Sequence, residues 1–258
     1  MGDPMDFSDK VVLVTGGGKG VGRGISQRFL ERGAQVVICG RNAPDSPPAH
    51  HGREALFLPC DVRDLEQLRA LLDAIRERFG RLDVLVNNAG GAPHADAATA
   101  SPRFSESIIR LNLLAPLNLC QLANQLMQAQ PQGGVIINIC SVSAIRPSPG
   151  TAAYGAAKAG LLNLTRSLAV EWAPRVRVNA VTAGLILTEQ ADQHYGDAEG
   201  VARVAAGIPL QRMATPEDIG DACLYLASPM ASYVSGVDIC VHGGGERPAF
   251  LDAAGVNP

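Results

Sequence analysis

Residues Thr151–Gly160 read TAAYGAAKAG, with Tyr154 and Lys158 four positions apart and only alanine and glycine between them. In a helix, residues i and i+4 share a face. A phenol titrates near about 10 in model peptides and is a poor base at neutral pH. A neighbouring ammonium favours the phenolate, and the pair can then give or take a proton. The small neighbours leave room for a ligand and for close helix packing. A solvated helix face would also hold such a pair, so its neighbours decide its meaning. Thirteen residues earlier, Ser141 ends the apolar run in NICSVSA, where its hydroxyl can hydrogen-bond a substrate oxygen. Asn112, in IIRLNLLAP, can hold a water, bind backbone, or sit at a helix interface.

These groups need a frame. Apolar runs at 10–16, 34–40, 54–61, 81–90, 134–141, 176–184 and 236–244 are rich in Val, Ile and Leu and bounded by Gly, Asn, Asp or Ser. Continuous rather than alternating apolar runs fit strands of a parallel sheet covered on both faces. Helical patterns fall between them, at 21–32, 64–78, 102–129, 152–172 and 216–227. The last opens with Thr215, Pro216, Glu217 and Asp218, a capping residue followed by residues suited to a first turn. This alternation predicts right-handed crossovers and a doubly wound α/β fold. The Pro-rich segment 41–53 reads as a loop. The long segment 185–210 reads as a lid.

The first strand runs into VTGGGKGVG. Thr15, Gly16, Gly18, Lys19, Gly20, Val21 and Gly22 form a strand–turn–helix junction with glycines spaced GxxxGxG. Glycines there allow a tight turn and close backbone approach to a pyrophosphate on the helix N-terminus. An NAD site usually carries a carboxylate at the end of the second strand. Here Gly40 and Arg41 stand at that place, and Lys19 lies inside the turn. Two cations and no acid suit a 2′-phosphate, so NADP(H) is the expected cofactor, with NAD(H) the alternative. Asp61 and Val62 end the third strand and could edge an adenine ring. Asn87, Asn88, Ala89 and Gly90 end the fourth, where open α/β sheets bind ligands.

Composition narrows the alternatives. The chain has 258 residues, 47% apolar and 18% charged, with a net charge of −3. That is a globular composition with no broad cationic surface for nucleic acid and no reason to expect a membrane partner. Cysteines 39, 60, 120, 140, 223 and 240 form no CxxC pair; buried, reduced thiols in a cytoplasmic protein are expected, and no metal site. The start, MGDPMDFSDK, has no secretory pattern.

TGxxxGxG at Thr15–Gly22, the Asp after the third strand, NNAG at 87–90, Asn112, Ser141, YxxxK at Tyr154–Lys158 and NAVTAGLILT at 179–188 recur in order. With them the chain resembles the short-chain dehydrogenase/reductases nearly end to end, close to the 3-oxoacyl-carrier-protein reductase-like oxidoreductases. The resemblance implies a Rossmann-type, seven-stranded parallel sheet in a single domain over residues 1–258. It implies hydride transfer between NADP(H) and a small-molecule carbonyl or alcohol. Tyr154 is then the general acid/base, Lys158 holds the nicotinamide ribose and tunes Tyr154, Ser141 orients the carbonyl, and Asn112 supports a water-linked relay. Gly184, Ile186 and Thr188 would meet the nicotinamide end. A homotetramer or dimer is implied.

One departure is Ala183, where the family usually has proline; another is the 41–53 segment, where it usually has a helix. The substrate pocket is expected from the loop at about 185–215, including Gln193, His194 and Tyr195, with residues near 91–96 and 142–150. A 3-oxoacyl thioester, a steroid, a sugar and a small ketone all fit that much. An NADP-binding regulator or scaffold without turnover, and an NAD-dependent alcohol dehydrogenase of the same fold, are the alternatives. The tail, about 244–258, is expected either to cross to a neighbouring subunit through Glu246, Arg247 and Phe250 or to fray.

Overall fold

The computed structural model describes residues 3–189, 191 and 195–255. Seven strands form one parallel sheet: β1 (Val11–Thr15), β2 (Gln35–Gly40), β5 (Leu56–Pro59), β6 (Val84–Asn87), β7 (Gly134–Ser141), β8 (Val176–Ala183) and β9 (Asp238–Val241). Their spatial order is β5-β2-β1-β6-β7-β8-β9. Successive side chains of a strand point to opposite faces, and the cores follow that rule. Val11 and Leu13 of β1 join Val37, Leu85 and Ile136 on one face. Val12 and Val14 join Ile38, Val86 and Ile137 on the other. Each face needs a helical cover, which is why the apolar runs are continuous.

The covering helices are α1 (Gly20–Glu31), α2 (Leu65–Phe79), α3 (Pro102–Ile109), α4 (Ala115–Ala129), α5 (Ala152–Glu171), α6 (Ala198–Ala206) and α7 (Pro216–Ala227), with a short α8 (Ala249–Ala253) in the tail. Their ends are marked chemically. Asp64 accepts from the N–H groups of Glu66 and Gln67 at the start of α2, and Gly80 closes it at φ 71°. Thr215 and Asp218 form a reciprocal capping box on α7. Among the described residues no helix is long and apolar enough to cross a membrane.

Three segments differ from the sequence reading. Residues 41–53 are not wholly irregular: β3 (Ala49–His50) pairs antiparallel with β4 (Arg53–Glu54). His51 and Gly52 both have positive φ, 45° and 78°, as a two-residue type I′ hairpin turn requires. The run at 54–61 therefore begins in this hairpin, and only Leu56–Pro59 joins the main sheet. The helical pattern at 102–129 is broken by a π-helical turn, Arg110–Leu114. Pro116 explains it: proline has no N–H, and its ring collides with the carbonyl four residues back unless the turn widens. The lid segment contains α6, capped by Asp197, which accepts from Gly200 N–H.

The cysteines are all unpaired, and five are buried; Cys240 is exposed because β9 is the sheet's last strand.

Candidate active site

The strand order reverses at β1 and β6, so their carboxyl ends open a crevice. Thr15 and Asn88 tie that crevice together. Thr15 Oγ1 accepts from the backbone N–H of Asn88 and of Ala89, each at 2.9 Å, and Asn88 Nδ2 donates to Thr15 O at 2.8 Å. The glycine turn follows. Gly16 and Gly20 lie at φ 65° and 50°, the left-handed region. At Gly22 a Cβ would come within 2.3 Å of Gly16 O, so only glycine lets α1 start so close to β1. Lys19 is the N-cap residue of α1 but makes no side-chain cap, and the first turn holds no acidic residue. Instead Gly20 N–H donates to Glu189 Oε1 at 2.8 Å. Exposed backbone donors, glycines that a Cβ would block and a carboxylate already seated there fit the pyrophosphate of a dinucleotide.

Gly18 is covered by Pro44: a Cβ there would meet the proline ring at 3.1 Å. The 41–53 segment thus packs onto the glycine turn, and Arg23 Nη1 donates to Ser46 O at 2.6 Å. Lys19 and Arg41 are exposed. Asp61 accepts from Arg63 Nε at 2.9 Å and Nη2 at 2.6 Å. That ion pair comes first among the causes holding the Asp61 carboxyl down to about 2, and the positive charge of Arg41 adds to it. Val62 is buried beside it.

At the other end, Lys158 is 3% exposed and donates from Nζ to Ile139 O at 2.8 Å. The ammonium lies 5.7 Å from the centre of the Tyr154 ring, within cation–π range. A Cβ on Gly90 would stand 3.4 Å from Lys158 Nζ and 2.6 Å from Asn112 Oδ1. Gly90 is thus the gap between Lys158 and Asn112. Asn112 is fully buried. It accepts from Gly91 N–H at 2.9 Å and donates to Gly91 O at 3.0 Å and Ile108 O at 2.9 Å. Both amide hydrogens are therefore committed to backbone.

Ser141 is the last residue of β7, and its Oγ accepts from Ser143 N–H at 3.2 Å. A Cβ on Gly155 would lie 2.8 Å from Ser143 O, so glycine lets the first turn of α5 abut the turn after Ser141. Cys140 precedes Ser141, but burial pushes its thiol up to about 12, which makes it a poor nucleophile.

The β8 end completes the site. Ala183 stays in the sheet, in register with Ser141 and Val241. At Gly184 a Cβ would meet His242 at 2.7 Å. Ile186 bridges to Ala214, and Thr188 lies beside Gly20, its Cγ2 3.9 Å from where a Cβ would stand there. A cavity of about 150 Å³ opens here, bordered by Val142 and Gly184. Ile145, Leu185 and Ile208 wall it, and Arg146, His242 and Glu246 supply its polar groups. Arg146 Nη2 donates to Glu246 Oε1 at 2.5 Å. Glu246 thus pairs with a cation of its own chain. Arg247 N–H donates to Gly207 O at 3.2 Å, while Phe250 is exposed. Tyr195 is half-buried, and burial pushes its phenol up despite a hydrogen bond to the Ile186 backbone. Gln193 and His194 lie outside the described residues.

Some polar residues near the crevice serve the sheet instead. Asn87 Nδ2 donates to Asn138 Oδ1 at 2.9 Å, and Asn138 Nδ2 donates to Thr165 Oγ1 at 2.9 Å. Asn87 faces that buried layer and not the crevice. Asn138, inside the apolar run VIINICS, is the sequence signal of such a layer. Glu189 carried no sequence signal, because its partner lies 169 residues away.

Comparison with known proteins agrees with this geometry. Residues 16–246 match the family model described as enoyl-(acyl carrier protein) reductase. A 3alpha-hydroxysteroid dehydrogenase of Mediterraneibacter gnavus is 36% identical over 248 residues, covering 93% of this chain and 98% of its own. L-fucose dehydrogenase of Oryctolagus cuniculus is 38% identical over 249 residues, covering 93% and 86%. The ligand-free aldohexose dehydrogenase of Thermoplasma acidophilum superposes with a TM-score of 0.84 at 31% identity, covering 92% of this chain and 95% of its own. The chain belongs to the short-chain dehydrogenase/reductase family and is an NAD(P)-dependent enzyme of that family.

Proposed function

We propose that this enzyme transfers a hydride between NADP(H) and a carbonyl/secondary-alcohol pair, working as one dinucleotide-binding and catalytic domain over residues 1–258. The observation that carries the reading is the buried Lys158 ammonium, 5.7 Å from the Tyr154 ring and 2.8 Å from Ile139 O. The dinucleotide supplies the hydride when bound. The chain supplies position and a proton. In reduction Tyr154 Oη gives its proton to the carbonyl oxygen, and the nearby ammonium stabilises the phenolate left behind. Ser141 Oγ donates to the same oxygen; its bond from Ser143 N–H leaves its own hydrogen free. Asn112 acts through backbone. It holds Gly91 in place, and its main-chain carbonyl lacks an i+4 donor because residue 116 is proline. That carbonyl is suited to hold the water of a proton relay.

The glycine turn Thr15–Gly22 with Asn88, Ala89 and Gly90 would hold the dinucleotide backbone, and Asp61 with Val62 the adenine. Gly184, Ile186 and Thr188 would hold the nicotinamide end. Lys19 and Arg41 favour a 2′-phosphate, since no carboxylate ends β2. Relatives named for steroid, fucose and threitol dehydrogenation suit an alcohol or its carbonyl as substrate. A cytoplasmic homo-oligomer, dimer or tetramer, completes the reading.

The test is NADPH consumption over a mixed panel of ketones, keto-sugars, steroids and 3-oxoacyl thioesters, with NADP+ reduction over the matching alcohols. Turnover that disappears in Tyr154→Phe, while NADPH still binds, is expected. Turnover retained by that variant, or no turnover with any substrate, would overturn the reading.

A further inference from the structure

Resting on the carbonyl/alcohol reading, we propose that the substrate is a small hydroxyl-rich molecule, a monosaccharide or short polyol, selected by the Arg146–Glu246 pair with His242. The cavity they line begins at Val142, the residue after Ser141, and at Gly184, after Ala183. It therefore opens at the carboxyl ends of β7 and β8, next in the chain to Ser141 and Ala183. Its volume, about 150 Å³, is well below the ~300–1,000 Å³ of pockets that enclose drug-sized ligands. A four-ring skeleton would extend out of its mouth, whereas a monosaccharide or short polyol fits within it.

Its polar groups narrow the chemistry further. Arg146 uses Nη2 on Glu246 Oε1 at 2.5 Å and Nη1 on Pro147 O at 3.0 Å. A guanidinium has five N–H donors, so further donors remain. The contact of Glu246 with Arg146 runs through Oε1, and no hydrogen bond to Oε2 is seen among the described residues. Among the described residues the pair therefore leaves donors and an acceptor unused side by side. Adjacent hydroxyls match that array, because each both gives and accepts a hydrogen bond. An anion would be drawn to Arg146 but repelled by Glu246, and a cation the reverse. A purely apolar group would desolvate the pair and return nothing.

The remaining walls agree. Ile145, Leu185 and Ile208 are aliphatic and suit the C–H faces of a sugar ring. The side chains of Arg146 and Glu246 are 37% and 42% exposed. They stand at the mouth, where each can turn toward an entering ligand without unfolding anything.

The experiment measures kcat and KM with NADP+ for four- to six-carbon polyols and aldoses, for cyclohexanol, and for a steroid alcohol. It uses the full-length wild-type chain, Glu246→Gln and Arg146→Gln. The expected wild-type preference is a hydroxyl-rich substrate over cyclohexanol by at least about tenfold in kcat/KM. Each variant should cut that preference by about tenfold through KM, with kcat for the sugar or polyol little changed. A wild-type preference for cyclohexanol or the steroid would overturn the substrate class while leaving hydride transfer in place. A preference that both variants keep would overturn the selecting role of the pair. No turnover with any alcohol would overturn this inference and the proposed function together.

Discussion

The carboxylate of Glu189 accepts the backbone N–H of Gly20 at 2.8 Å and so fastens the segment after β8 to the first residue of α1. Gly20 N–H belongs to the helix end where a dinucleotide pyrophosphate would sit. A bound pyrophosphate and this carboxylate carry charge of the same sign. Glu189→Gln keeps the shape and removes the charge. It should tighten NADPH binding by about 2–5-fold, the size of a charge effect at an exposed helix end. A fluorescence titration with NADPH checks it; weaker binding would mean that Glu189 supports the cofactor.

Gly22→Ala should damage the same cradle by sterics. The new Cβ would lie 2.3 Å from Gly16 O and 2.5 Å from Asn88 Nδ2. Backbone there must move, at a cost of about 1–3 kcal/mol. The expected result is a lower urea midpoint and at least tenfold weaker NADPH binding. Neither change in the variant would contradict the close packing of α1 on β1.

Asn112→Ala would leave Gly91 N–H and Gly91 O without their partner and would empty a fully buried site. Two backbone groups losing hydrogen bonds cost about 1–3 kcal/mol each when buried, less where water reaches Gly91. Stability should fall by about 2 kcal/mol, read from chemical denaturation. Turnover should fall further than NADPH affinity, because Gly90, next to Gly91, borders Lys158.

Arg41→Ser tests the cofactor preference. Arg41 is exposed, and its charge reaches Asp61. Losing one charge-assisted contact to a 2′-phosphate should weaken NADPH binding by about tenfold or more. NADH binding should be little changed. Equal effects on the two cofactors would assign Arg41 to the shared part of the dinucleotide.

Acid should weaken the cap of α7. Arg212 comes first among the groups that hold the Asp218 carboxyl down to about 2, and Thr215 adds hydrogen bonds to it. An unfolded aspartate titrates near about 3.9. A depressed folded value means stability that is present above about 3.9 and lost as pH falls through about 2. The pair is partly exposed, with side chains 55% and 30% accessible, so solvent screening keeps its contribution small. Asp218→Asn should lower the urea midpoint at pH 7. The gap from wild type should close below about pH 4.

Much of this protein could be read before any coordinates. The seven strands follow from apolar runs that must be covered on both faces, and the start of α7 from Thr215 and Pro216. Gly16, Gly20 and Gly22 marked the tight turn because a side chain cannot occupy such places, and Tyr154 and Lys158 share a face because of helical periodicity. These are local rules, set by a few neighbouring residues. The hairpin at His51–Gly52 was local too, but its signal was hidden among prolines. What only the tertiary structure decided depends on residues far apart in sequence. Glu189 meets Gly20 across 169 positions, and Arg146 meets Glu246 across 100. Asn112 reads as a helix residue, yet its amide serves Gly91, which β6 delivers to it. Such contacts are made by whichever chain segments the sheet order brings together, and no periodicity in the sequence encodes them.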